Sequence, residues 1–284
     1  MKRAIALLAA MIAAAATSGI SRAQIAGPVP PPPKYEVHRI GTIPTPDAPP
    51  VPADEIIRRF TANEDIAKKL YDATDFDQTV RVQELSGDAG RGGEFEISGE
   101  LYVKPDGQRF ERITKPPVST LKYTAFSLED VKFLDSLPLF LLTTTDLPHY
   151  NLTYEGQQKL DELNTYVFLV KPKEFERTHK YFDGVIWVDD HDFAIVKSSG
   201  QWVSDIGGNN TPVPFTMFDI YRENFQDKYW LPTYITSDQF ITGPNKGEVH
   251  LRLVMRSTNV KLPGETAAPA NGAEQTPVAK PPLE

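Results

Sequence analysis

The sequence predicts a mainly β protein with a few helices: one antiparallel sheet of about ten strands in meander order, an N-terminal helix and one helical insertion. Three observations lead there. Apolar and polar residues alternate with period two over several segments, turn-forming residues separate those segments, and two stretches switch to helical spacing. The chain has 284 residues, 40% of them hydrophobic, which is enough to bury a sizeable core. It has no cysteine, and its composition excludes collagen, a coiled coil and a disulfide scaffold.

The domain is expected over residues 54–261. It opens with a helix, because Ile56, Ile57, Phe60, Ala67, Leu70 and Tyr71 recur near helical spacing behind Pro52 and Asp54. Thr61 and Glu64 match a capping box, which leaves a restart of the helix at Thr61 open although the periodicity runs through it. The clearest strand follows, with Phe95, Ile97, Gly99, Leu101 and Val103 on a dry face and Glu94, Glu96, Ser98 and Glu100 on a wet one. Residues 127–146 break the pattern. Ser127 and Asp130 form a cap, and Leu134, Leu137, Leu139, Phe140, Leu141 and Leu142 then cluster around Pro138, giving an apolar helical insertion broken in the middle. It reads either as a core helix closing one end of the sheet or as a lid over a cavity. Alternation returns in Tyr150, Leu152 and Tyr154. Segments 165–171, 181–188, 193–198, 214–225 and 229–238 are rich in aromatic and β-branched residues, and Val249, Leu251, Leu253 and Met255 close the sheet.

The flanks differ from this core. Lys2 and Arg3, the alanine-rich run from Ala4 to Ala16, and Ser21-Arg22-Ala23 read as a secretory signal (residues 1–23) cleaved after Ala23. An uncleaved anchor is the alternative, and the shortness of the apolar run and the proline-rich segment behind it argue against it. Cleavage removes three positive charges and no negative one, so the net charge of -8 becomes -11. With no cysteine behind the apolar run, a lipoprotein-type signal is excluded. Ten of the 25 prolines fall in residues 24–53 and five in 262–284, marking a proline-rich disordered linker and a disordered tail. Nothing after the signal approaches the roughly 18 apolar residues of a membrane span. An acidic chain also lacks the basic field that holds nucleic acid.

Chemistry is sparse. His38, His149, His179, His191 and His250 include no pair at ligand spacing on one element, so no metal is expected. Asp189, Asp190 and Asp192 around His191 lack the glycine and distal glutamate of a calcium loop and read as a hairpin turn. Gly87 to Gly93 reads as a hairpin loop rather than a phosphate cradle, because no helix follows it. Asn151-Leu152-Thr153 and Asn209-Asn210-Thr211 match the glycosylation pattern at chance frequency. No nucleophile elbow, P-loop, zinc-protease or dinucleotide motif occurs, so neither an enzyme nor a cofactor is expected.

What the sequence does supply is aromatic surface: 15 Phe, 11 Tyr and 3 Trp. On a curved sheet these line a concave apolar face, and in a sandwich they fill a solid core; periodicity alone separates neither. Four strand motifs go further. Gly99-Glu100-Leu101-Tyr102-Val103-Lys104-Pro105 followed by Arg109-Phe110-Glu111-Arg112 resembles the second-strand signature of the LolA/LolB-like periplasmic lipoprotein carriers. Tyr166 to Lys173, Gly184 to Asp189 with Ile195 to Lys197, and Tyr221 to Asn224 through Tyr234 are similar to later strands of that family.

The resemblance covers about residues 54–260 and implies a half-open antiparallel β-barrel, LolA-like, covered by an N-terminal helix and a helical insertion. It further implies a monomeric periplasmic carrier that holds acyl chains of lipids or lipoproteins for outer-membrane lipoprotein sorting, with inner- and outer-membrane handover proteins as partners. Under that reading the cavity is lined by Phe95, Ile97, Leu101, Val103, Phe110, Phe168, Trp187, Tyr221 and Trp230, and the lid carries Leu137, Leu139, Phe140, Leu141 and Leu142. The alternative is a periplasmic regulatory or scaffold protein of the same fold that binds a protein partner.

Overall fold

The structure, a computed structural model, describes residues 45, 47–87, 92–135, 142–176, 179–203, 214–242 and 247–264. The expected signal segment, most of the proline-rich arm, the tail beyond 264, and Leu137, Leu139, Phe140 and Leu141 lie outside them.

Helix α1 spans Ala53–Asp72 without a break. Pro52 precedes it, and its carbonyl accepts the first bonds, from the amides of Glu55 and Ile56. Asp54 and Glu55 sit in the first turn, where the helix dipole favours them. Thr61 and Glu64 do not restart the helix: the Thr61 hydroxyl donates to the Ile57 carbonyl one turn back at 2.8 Å, and Glu64 is buried.

Ten strands follow: β1 (Asp75–Gly87), β2 (Glu94–Val103), β3 (Arg109–Ser119), β4 (Tyr150–Leu160), β5 (Leu163–Pro172), β6 (Tyr181–Asp189), β7 (Ile195–Val203), β8 (Met217–Phe225), β9 (Tyr229–Thr242) and β10 (Glu248–Lys261). Helix α2 (Leu128–Asp135) lies between β3 and β4. All ten strands pair in one antiparallel sheet of order β3-β2-β1-β10-β9-β8-β7-β6-β5-β4. The sheet does not close, and β3 and β4 are its edges. The meander therefore fails at one point. β1 pairs with β10, so the connection that carries α2 joins opposite edges of the sheet.

Register separates the two faces. Val80 stands opposite Ile97 and Met255, and Val82 opposite Phe95 and Leu253, all on the face the helices cover. The alternate residues pair on the outer face, where Arg81 forms an ion pair with Glu96 and Thr79 lies 3.0 Å from the Ser98 hydroxyl. At β6, toward the other end of the sheet, both faces are dry. Every residue of β6 is buried, with Ile186 and Val188 toward α1, and with Val185 and Trp187 in a second cluster beside Val167 and Leu160.

The domain's contacts reach past 54–261 on both sides. Thr45 forms an antiparallel bridge with Gln157 of edge strand β4, its amide 2.8 Å from the Gln157 carbonyl and its carbonyl 3.0 Å from the Gln157 amide. Pro44 and Pro46 flank Thr45 and carry no N–H, so neither can donate a further rung. Val51 packs against the cluster under α1, and Leu262 is buried beside Ala67 and Leu231.

Candidate functional site

The helix-covered face divides into two adjoining halves. Under α1, Ile56 and Phe60 meet Tyr166, Phe168, Ile186, Val188, Ile195 and Ile220. Under α2, Val131 and Leu134, with Phe126 and Phe215, meet Val80, Val82, Phe95, Ile97, Val249, Leu251, Leu253 and Met255. Trp202 and Ile235 touch both halves, so the apolar surface is continuous.

Polar bonds fasten the α1 half. Glu64, 1% exposed, takes a bidentate contact from fully buried Arg222 of β8, at 2.6 Å (Nη1 to Oε1) and 3.0 Å (Nη2 to Oε2). Asn63 donates to the carbonyls of Asp192 and Phe193 at 2.9 and 2.8 Å. Asp65 accepts from the Thr144 amide at 3.0 Å and from its hydroxyl at 2.7 Å, which ties the far end of the insertion to α1. Three consecutive residues of one helical turn thus grip three different parts of the chain.

The α2 half is held differently. Ser127 and Asp130 cap α2 as the sequence predicts, with the Asp130 carboxylate accepting from the Ser127 amide at 2.7 Å and its hydroxyl at 2.8 Å. Those bonds close on the helix itself. Its roof over the sheet is made by Val131, Leu134 and Phe126, the last edge-on to Phe95 with ring centroids 5.1 Å apart, and by the Phe133 ring under the Lys180 ammonium at 4.7 Å. Fixation comes from the approach to α2. The Glu84 carboxylate accepts from the amides of Gly93 (2.8 Å), Lys122 (3.0 Å), Tyr123 (2.7 Å) and Thr124 (3.0 Å). Burial works to raise the Glu84 pKa, but the four amide bonds together outweigh it and hold the group below its ordinary value. Gly93 is required there, since a Cβ would lie 1.8 Å from the Thr120 carbonyl oxygen.

The nine residues predicted to line one cavity do not share a wall. Phe95 and Ile97 lie in the α2 half, and Phe168 lies in the α1 half against Phe60 and Tyr154. Leu101 and Val103 continue the same face of β2 but are only half-buried. Phe110 stands opposite Tyr102 on the outer face, where its ring stacks at 6.0 Å and Lys104 Nζ sits 3.6 Å above it. Trp187 is also on the outer face, its indole donating to Gln158 at 3.0 Å. Tyr221 alternates out of phase with Ile220 and lies beside Lys197, across from Tyr234. Trp230 packs against the Trp187 cluster and donates to Asp192 at 2.9 Å. Of the lid residues, Leu142 is fully buried in the α1 half, and the other four lie outside the described residues. Directly behind Phe95 and Ile97 the space is occupied by Phe126, Val131, Leu134 and Phe215.

The hairpin expected around His191 joins β6 to β7, and Asp189 Oδ2 accepts the amides of His191 (3.2 Å) and Asp192 (2.7 Å). Ligand atoms of Asp189, His191 and Asp192 lie within 4.8 Å of one another, but those carboxylates are engaged by the turn, by the His191 ring and by Trp230. The sequence reading places Glu64 in a capping box and does not foresee its pairing with Arg222. Glu64 lies on the Phe60-Glu64-Ala67-Tyr71 stripe, and an acid on an apolar stripe was the available signal for a buried partner.

No protein-family model matches the chain, and no curated protein matches it. Solved structures to which it is similar include the following three. A LolA superfamily protein from Nitrosomonas europaea is 14% identical over 71% of this chain and 93% of that one, with a TM-score of 0.36. A DUF1329 family protein from Desulfovibrio piger is 12% identical over 72% and 93%, with a TM-score of 0.32. MucB, solved in complex with MucA(peri), is 10% identical over 74% and 98%, with a TM-score of 0.22. The first bears the family name that the strand motifs suggested. At TM-scores below 0.5, no residue's role passes from those proteins to this chain.

Proposed function

We propose that this chain is an exported, non-catalytic carrier of acyl chains, and that the α2-covered half of the sheet is where a chain lies. One observation supports this reading. Eight apolar side chains from β1, β2 and β10 form an unbroken patch that is roofed largely by a two-turn helix and its approach segment. An acyl chain entering there replaces Val131, Leu134 and Phe126, so one apolar cover is exchanged for another. A chain of about fifteen methylenes offers roughly 12 kcal/mol of gross burial, at about 0.8 kcal/mol per methylene. Ordering the chain and lifting the roof reduce that to a reversible affinity, which a carrier needs for release. No helix of the described residues is long and apolar enough to cross a membrane. Handover proteins at the two membranes would complete the carrier role.

The test is titration of the purified protein with a fluorescent acylated peptide. Saturable binding that weakens at least tenfold on Ile97→Glu, in a variant that still melts cooperatively, is the expected result. If the wild-type protein shows no saturable binding, the carrier reading is abandoned.

The second reading, a regulatory or scaffold protein that binds a protein partner, has its own observation. Edge strand β3 exposes Ile113 (48%) and Val118 (64%). An extended segment of a partner can add to such an edge. Lys115, Pro116 and Pro117 blunt its far end, which leaves Arg109 to Thr114 as the part open to pairing.

A further inference from the structure

We propose that a cleft on the outer face of the sheet, at the start of β8, binds a saccharide. β8 begins at Met217, whereas its neighbours β7 and β9 run past that point to Val203 and Thr242. The step leaves a cleft of ≈ 540 Å³ whose lining includes Ser199, Asp219, Asp238, Phe240, His250 and Arg252. That volume falls in the range of small-molecule sites, about 300–1,000 Å³. Register places these side chains on one face. Asp219 stands opposite Ser199 and Thr236, Asp238 opposite Arg252, and Phe240 opposite His250. This is the face away from α1 and α2, while Phe218, Ser237 and Gln239, which also line the cleft, alternate toward the covered face, Phe218 within the α2-half cluster.

The chemistry of the lining selects the ligand class. Asp238 accepts from Arg252 Nε at 3.0 Å and lies 2.7 Å from His250 Nε2. The guanidinium is thereby fixed by its Nε, and among the described residues its two terminal nitrogens, on a side chain 42% exposed, carry no partner. Asp219 lies 3.9 Å from the Lys197 ammonium, within ion-pair range but beyond a hydrogen bond, so its oxygens keep acceptor capacity. Phe240, 57% exposed, lies flat on the His250 ring with centroids 4.5 Å apart and planes at 15°, a ready platform for the apolar face of a sugar ring.

The charges cancel in pairs, Asp238 with Arg252 and Asp219 with Lys197, which favours a neutral ligand. Asp219 and Arg252 stand two strands and two residues apart, roughly 12 Å between Cα atoms at ordinary sheet spacing. The Arg252 side chain leans over Asp238, so its guanidinium lies between its own strand and Asp219. A disaccharide reaches both ends with hydroxyls, which donate to the carboxylate and accept from the guanidinium.

The experiment is saturation-transfer NMR followed by calorimetry on the full chain, with maltose, cellobiose and N,N′-diacetylchitobiose as neutral probes and glucose 6-phosphate as the anionic one. Saturable binding of at least one neutral disaccharide is expected, weakened tenfold or more by Phe240→Ala and by Arg252→Gln. Both residues are exposed enough for the melting temperature to hold, and neither change should alter acylated-peptide binding. Three results would overturn the site: no saturable disaccharide binding, binding indifferent to both variants, or binding confined to glucose 6-phosphate, which would make Arg252 a plain anion site.

Discussion

Helices α1 and α2 cover adjoining halves of one apolar sheet face, and they are held over it by different forces. Over the α1 half, Glu64, Asn63 and Asp65 make directional bonds to β8, to the β6–β7 hairpin and to Thr144. Over the α2 half, Val131, Leu134 and Phe126 make apolar contacts that specify no partner atom. Directional buried bonds cannot be traded for another occupant without leaving a group unpaired, whereas an apolar roof can be replaced by any apolar object of similar shape. The difference therefore separates a half that fixes the fold from a half that can open.

The largest test of that division is at Arg222. Arg222→Leu leaves the Glu64 carboxylate buried without its partner, and a loss of about 3–5 kcal/mol in global stability is expected from urea unfolding. Replacing both partners, Glu64→Leu with Arg222→Met, should recover most of that loss, because the pair's desolvation disappears with it. A single variant that unfolds like the wild type would remove the polar fastening from the comparison.

A smaller effect is expected at Leu134, whose truncation to Ala should cost about 2 kcal/mol, the low end for a buried leucine, because a short helix over a broad patch can settle into the space. The sharper readout is local. Amide exchange over 121–135 should accelerate by more than the global loss accounts for, and an acylated probe should exchange faster. Uniform acceleration across the whole sheet would mean that the two halves open as one unit.

How much of this was legible in the sequence depends on which physical pattern each part obeys. β2 was plain because one face is dry and the other wet, so Phe95, Ile97, Glu94 and Glu96 alternate cleanly. β3 carries no such alternation because as an edge strand it is exposed on both faces from Glu111 to Ser119. β6 fails for the opposite reason. It is buried on both faces, so period two shows that Ile186 and Trp187 point apart without showing which one meets the helices. Trp187 falls on the outer face through that ambiguity, and Phe110 and Tyr221 fall there because aromatic content by itself carries no direction. The pairing of β1 with β10 is a long-range choice that no local pattern records. Glu64 matches a capping box because Thr61 stands three residues before it, whereas its place on the apolar stripe points to the burial the structure shows.

The smallest expected effect is also the one that distinguishes the two roofs by pH. Glu84 holds the approach to α2 through four backbone amides, which only the ionised carboxylate accepts in full. Its folded pKa lies below the ordinary 4.5, so its stabilisation is complete above that value and is lost as pH falls through the lower folded value. Acid should therefore loosen residues 120–126 before the sheet unfolds, seen as faster amide exchange of Lys122, Tyr123 and Thr124 below about pH 4.5. Glu84→Gln presents an NH₂ group where amides require acceptors, and a local cost of about 1 kcal/mol is expected at neutral pH. In that variant the acid-dependent step should vanish, since the group that titrates is gone. If the step persisted, another carboxylate would control the approach to α2, and the pH contrast between the two halves would have to be assigned elsewhere.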